Sequence, residues 1–193
     1  MRPDFDKAQD AATKLLLQQN ISSLSIDVKT FILPGNIFID SMQNFCKLSG
    51  LSINELPKER IDGACVLRDR GIVIILYDET IGNEQRKHWG IVHELGHVML
   101  DHTKDDQKEE IEAHFFAAQI VMPEIVLWTI AKRCGSLSSY EIYNHFNVSL
   151  EAASKRIKTL KRRNCYNYSK IDQDLLEKFN PLIESNFSSR FAS

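Results

Sequence analysis

No apolar run in this 193-residue chain approaches the roughly 18 residues that a membrane span needs, so no membrane role is expected. The opening stretch MRPDFDKAQDAATKLLLQQN is charged and amphipathic, without the continuous apolar core of a secretory signal. Cysteine is sparse: Cys46, Cys65, Cys134 and Cys165 stand far apart and form no C-x-x-C pair. That argues against a disulfide framework or a cysteine-ligated zinc, and the thiols read as reduced, packed residues of a cytoplasmic protein. An excess of positive charge is missing too, with a net charge of −2 and a pI of about 6.3. Nothing global therefore marks nucleic acid as the main partner. There is no internal repeat and no low-complexity linker. What remains is 43% hydrophobic and 26% charged, the composition of an ordinary soluble protein with one domain, or one domain and a small module.

Hydrophobic spacing divides the chain. Phe5, Ala8, Ala12, Leu15 and Leu16 predict a helix over about 4–19. After the LPGN turn, IFIDSMQNFCKLSG reads as a second helix stopped by Gly50. ACVLRD and GIVIILYD flank Arg70-Gly71 and predict a hairpin, hence a small antiparallel sheet. A helix follows over about 83–100, with Asn83 as its cap. The acidic stretch DHTKDDQKEE interrupts the pattern, and another helix spans about 107–121, ending before Pro123. Further helices are expected near 124–133, 138–146 and 150–163. The segment 164–193 reads as a polar tail with a weak helical stretch around DQDLLEKFN. The expected class is α+β, mostly helical. The expected layout is a core over 1–135, a helix-turn-helix-like segment over 136–163 packed on it, and the tail.

The stretch KHWGIVHELGHVMLDH contains His93-Glu94-Leu95-Gly96-His97. Four residues turn a helix by about 400°, so His93 and His97 project from one face, one turn apart, and can converge on one ion. Glu94 lies about 100° round the helix, too far aside to share that ion. It is placed to hold a water at the metal and take its proton. Trp89, Ile91, Val92, Leu95, Val98, Met99 and Leu100 surround the motif, so the helix should be buried and its histidines held stiffly.

A catalytic zinc needs a third protein ligand and an open position. Glu110 and His114 share one face of the next helix, and Ala113, Ala117 and Val121 give that face small or apolar residues able to approach the first helix closely. Glu110 is the favoured ligand, with His114 behind a ligand histidine. Glu112 and His114 itself are the alternatives. His102 competes, but the metzincin spacing would need Gly and His where Leu100 and Thr103 stand. His102 and His88 are placed outside the ligand set.

RKHWGIVHELGHVMLDH, followed by EEIEAHFFAAQIVMP, resembles the ImmA/IrrE metallopeptidases. Their pattern is R-x-R-F-T-x-A-H-E-x-G-H, an acidic gap, then E-x-x-A-N-x-F-A-x-x-L-L-M-P. Arg86, the motif residues, Phe116, Ala117 and Met122-Pro123 match, and Glu110 falls on the family's ligand glutamate. Where the family has Arg, Phe, Thr and Asn, this chain has His88, Trp89, Gly90 and His114. The resemblance implies a zincin-like core and a Zn2+-dependent endopeptidase with gluzincin-like ligands. It also implies an antirepressor that cleaves a helix-turn-helix repressor of a mobile element, prophage or stress regulon.

LSSYEIYNHFNVSLEAASKRIKTL has the helix-turn-helix pattern in its own right: Leu150, Ala153, Ile157 and Leu160 form a packing stripe, and Lys155, Arg156, Lys158, Lys161, Arg162 and Arg163 make the second helix basic. DNA is a less favoured partner than a protein substrate. Arg156 is the candidate for stabilising an oxyanion, against a plain surface arginine. The alternative to an enzyme is a regulatory module that grips a repressor or DNA, with a vestigial or structural zinc site.

Overall fold

The computed structural model describes residues 2–57, 62–104, 106–162 and 168–191. Arg163 and Cys165 lie outside them. The architecture is α+β and mostly helical. Contacts divide the chain into two compact units, residues 1–8 with 27–117 and residues 9–26 with 118–193.

The first unit contains the start of α1 (Phe5–Gln18), β1 (Ile37–Ser41), α2 (Met42–Ser49), β2 (Ala64–Asp69), β3 (Ile72–Tyr77), α3 (Glu84–Met99) and most of α4 (Gln107–Val121). The strand order is β1-β3-β2. β2 and β3 form the expected hairpin. Arg70 and Gly71 both take positive φ, 45° and 83°, as a tight two-residue turn between twisted strands requires. The sheet is mixed, however: β1 pairs parallel with β3, Ile37 opposite Val73 through Ser41 opposite Tyr77. The helix expected over IFIDSMQNFCKLSG therefore begins only at Met42. Ile37, Phe38 and Ile39 are β-branched and aromatic, suited to a strand. Ser41 ends the strand and caps α2 by accepting the Asn44 N–H. Met42, Leu56, Cys65 and Leu76 fill the core beneath the sheet.

Helix α3 begins where expected, with the Asn83 side chain accepting the Arg86 N–H at 2.9 Å. Its far end matters more. Asp101 is left-handed, φ 56°; its N–H donates to Val98 O at 3.3 Å, and the His102 N–H donates to His97 O at 3.0 Å. This is a Schellman ending, and it folds His102 back over the turn that carries His97.

The second unit holds the rest of α1, the end of α4, α5 (Glu124–Arg133), α6 (Ser139–Phe146), α7 (Leu150–Arg162) and α8 (Lys170–Phe187). A Ser138/Glu141 capping box opens α6, and Asn147 closes it at φ 51°. α6 and α7 make a helix-turn-helix, with Ala153 and Leu160 buried. The segment read as a polar tail contains an 18-residue helix. Its residues Leu175, Phe179, Ile183 and Phe187 recur every fourth position and are all buried. Asp172 at its start accepts from Gln9 Nε2 at 3.2 Å and Thr13 Oγ1 at 3.4 Å. α8 is thus part of a core, and Phe179→Ala should lower the stability of the protein by about 3–5 kcal/mol in urea denaturation; a change below about 1 kcal/mol would show that α8 does not pack as described.

Candidate metal centre

His93, Glu94 and His97 lie on a helix that is buried from Gly90 to Gly96, so neighbours on several sides fix their rotamers. The two imidazoles face each other, Nε2 to Nε2, at 3.1 Å. Glu110 from α4 completes the set: Oε2 is 3.3 Å from His93 Nε2, and Oε1 is 3.1 Å from His97 Nε2. A tetrahedral ion with bonds of about 2.0–2.1 Å separates its ligand atoms by about 3.3 Å. The spacing therefore fits a zinc-sized ion, and the donor set of two imidazoles and a carboxylate suits it chemically. The His93 side chain is fully buried, while the Glu110 side chain is 27% exposed, so access lies on the carboxylate side. Burial first, then the neighbouring His114, His97 and His102, pushes the His93 pKa down to about 3. At neutral pH its ring is uncharged, as a metal ligand must be.

Gly96 explains how the two helices come close enough. A Cβ there would stand 3.1 Å from Ala113 Cα, 3.1 Å from Ala113 O and 3.2 Å from a Phe116 ring carbon. The glycine inside the motif faces the backbone of α4 one turn beyond Glu110. Any larger residue would lever α4, and the carboxylate with it, away from the histidines.

His114 also reaches this cluster. Its ring lies 4.4 Å from that of His93, centroid to centroid, and stacks on Trp89 at 6.1 Å and 24°. One ligand atom each from His93, Glu110 and His114 falls within 4.8 Å of the others, a second grouping able to hold an ion. The His93–His97–Glu110 spacing of 3.1–3.3 Å is the tighter one. Trp89 and His114, two residues at which the chain departs from the ImmA/IrrE pattern, thus touch each other.

Glu112 turns elsewhere. Its Oε2 meets His102 Nε2 at 3.1 Å, and its Oε1 accepts from the Asp4 N–H at 2.6 Å and from Lys108 Nζ at 3.2 Å. Burial alone would raise this carboxyl; the bonds from Asp4, Lys108 and His102 outweigh it and hold the pKa below the usual value. His102 Nδ1 in turn lies 3.1 Å from His97 Nδ1. From the sequence, His114 is expected behind a ligand histidine and His102 either at the surface or behind a ligand; it is His102 that stands behind His97. The signal lay in the position of His102 relative to a Schellman ending, which the local pattern does not announce.

Arg156 belongs to the second unit, where it is buried. Nε and Nη2 donate to Met122 O at 3.1 and 2.9 Å, and Nη2 also donates to Gln119 Oε1 at 2.8 Å. These bonds give it a structural task inside that unit. His88 accepts the Val28 N–H at 3.4 Å, and burial holds its ring below the ordinary histidine value.

The fold and cluster define a mostly helical α+β protein with a His–Glu group able to hold a metal ion. The family model for the IrrE N-terminal-like domain, Peptidase_M78, matches residues 46–158. That span is more than half of the chain and takes in both motif blocks; the chain belongs to this metallopeptidase family. Neither the curated proteins nor the solved structures provide a match.

Gly96→Ala should lower stability by about 1–3 kcal/mol in urea denaturation, because its nearest neighbour is backbone; an unchanged midpoint would mean that α4 does not approach as closely as stated. His88 gives a pH signature. The unfolded chain takes up a proton near pH 6.5, while folded His88 resists it, so stability present above that pH is lost as pH falls below it. Between pH 7.5 and 5.5 the wild type should lose more stability than His88→Gln; equal losses would contradict this.

Proposed function

We propose that this protein is a zinc-dependent endopeptidase in which His93, His97 and Glu110 hold the ion and Glu94 is the general base. The observation that supports this best is the closure of those three side chains on one another at 3.1–3.3 Å. Two imidazole nitrogens and two carboxylate oxygens converge there, an electron-rich group that a divalent cation would relieve. When bound, zinc polarises the scissile carbonyl and lowers the pKa of water towards about 7.

The remaining chemistry belongs to the chain. Glu94, next to His93 and only 9% exposed, takes a proton from the attacking water and delivers it to the leaving amine nitrogen. Gly96 and Ala113 hold the two helices in register, so that Glu110 stays on the histidines throughout.

The substrate we propose is a helix-turn-helix repressor of a mobile element, prophage or stress regulon, cleaved in the cytoplasm by an antirepressor. Membership of the family and the resemblance of both motif blocks support this. A second reading has one observation behind it. The nearness of His114 to His93 and Glu110 would allow four protein ligands, and a closed tetrahedral set is the mark of a structural site. In that case the protein regulates by gripping its repressor, or less favourably DNA, without cutting it.

One experiment separates these. Glu94→Gln should retain one zinc per chain but lose at least about 10²-fold in cleavage rate of a purified repressor, while Glu110→Ala should lose the metal. Full-rate cleavage by Glu94→Gln would overturn the mechanism. A wild type that binds zinc and represses or derepresses without cleavage, and whose zinc is lost in His114→Asn, would favour the second reading.

A further inference from the structure

The helix-turn-helix of the second unit carries a charge pattern that the metal chemistry does not use. We infer that α7 is a docking surface for double-stranded DNA, laid into the major groove, with α6 against the phosphate backbone. The inference goes beyond the proposed cleavage and holds whether or not the protein cuts a substrate.

The two sides of α7 have different tasks. Ala153, Arg156 and Leu160 are buried, and at about 100° per residue they share one side of the helix. Glu151, Lys155, Lys158 and Arg162 are exposed and fall within about 60° of one another on the opposite side. Lys161, also exposed, flanks them. Arg156 fixes how the helix is turned: its guanidinium is held by Met122 O and Gln119 Oε1, so the remaining cations of α7 face outward. Four outward cations against one carboxylate make this helix locally positive, in a chain whose net charge is −2. The helix dipole explains only part of the pattern. It favours cations in the last turn, which holds Lys161 and Arg162; Lys155 and Lys158 stand before it. The exposed Lys155–Glu151 pair, at 2.8 Å, is too weak to withhold the lysine from a phosphate.

The turn holds the two helices as one stiff piece. Asn147 closes α6 at φ 51°, Val148 is buried, and Ser149 Oγ accepts the Ala152 N–H at 3.1 Å. On α6, Tyr140, Tyr143 and Asn144 are exposed, and hydroxyl and amide groups of this kind donate to phosphate oxygens. Glu151 fits the same placement. In a helix-turn-helix the first residues of the second helix face base edges rather than phosphates, and a carboxylate there accepts from the amino group of cytosine. Groove size favours DNA over RNA. The B-form major groove, about 12 Å wide, admits a helix, whereas the A-form one is too deep and narrow for side chains to read.

The test uses the full chain and a fluorescein-labelled DNA duplex of mixed sequence, read by anisotropy over about 50–200 mM KCl. Four phosphate contacts predict that log K falls with log [KCl] at a slope of about −3.6. Lys158→Gln should weaken binding across sequences and reduce that slope by about one. Lys47→Gln, at an exposed position on α2, should leave affinity and slope unchanged. Both positions are exposed, so urea midpoints should match the wild type and a lost affinity cannot be ascribed to unfolding. Absence of binding at about 50 mM KCl overturns the inference. An equal loss in Lys47→Gln and Lys158→Gln also overturns it, because the attraction would then belong to the chain as a whole. Equal affinity for the same sequence as a single strand or as an RNA duplex does so too, since neither offers a B-form major groove. None of these results bears on zinc binding or cleavage.

Discussion

The close approach of α4 to α3 at Gly96 and Ala113 is the constraint on which the rest depends. The histidines of α3 are neighbours by helical geometry alone, but a carboxylate from another element meets them only if two backbones come nearly into contact. Gly96 permits that approach, and its missing side chain is matched by the small Ala113 opposite. Glu110 then sits one turn before Ala113, at 3.1–3.3 Å from both imidazoles. The chemistry of the cluster is thus set by a packing choice at a residue that carries no chemistry itself.

The resulting group is electrostatically expensive without a cation. Two imidazole nitrogens and two carboxylate oxygens face one another at 3.1–3.3 Å. Tertiary packing keeps them together: α3 is buried on several sides, and Glu112 ties α4 to Asp4 and His102. A divalent ion would turn this strain into stabilisation, because it binds the folded state and has no preformed site in the unfolded chain.

Much of this was legible in the sequence where the physics is local. A four-residue spacing on a helix needs no tertiary information, and the face shared by Glu110, Ala113 and Ala117 could be read from helical period. Three features were not legible, each for a particular reason. Strand β1 hides in front of α2 because its pairing partner β3 is distant in sequence and parallel, so no turn signal joins them. Helix α8 reads in the sequence only as a weak stretch around DQDLLEKFN in a polar tail; Pro181 stands inside it, where a proline costs about 3 kcal/mol, and burial of Phe179, Ile183 and Phe187 outweighs that. The placement of His102 depends on Asp101 adopting a left-handed conformation, which composition does not announce.

The central claim is that two imidazoles and one carboxylate hold a zinc ion with a position left for solvent. Zinc-edge X-ray absorption on the purified protein tests it most directly. The account predicts one ion per chain with nitrogen and oxygen donors only, at about 2.0–2.1 Å, two of them imidazoles. A first shell with sulfur, or with three imidazoles closing the site, would contradict it.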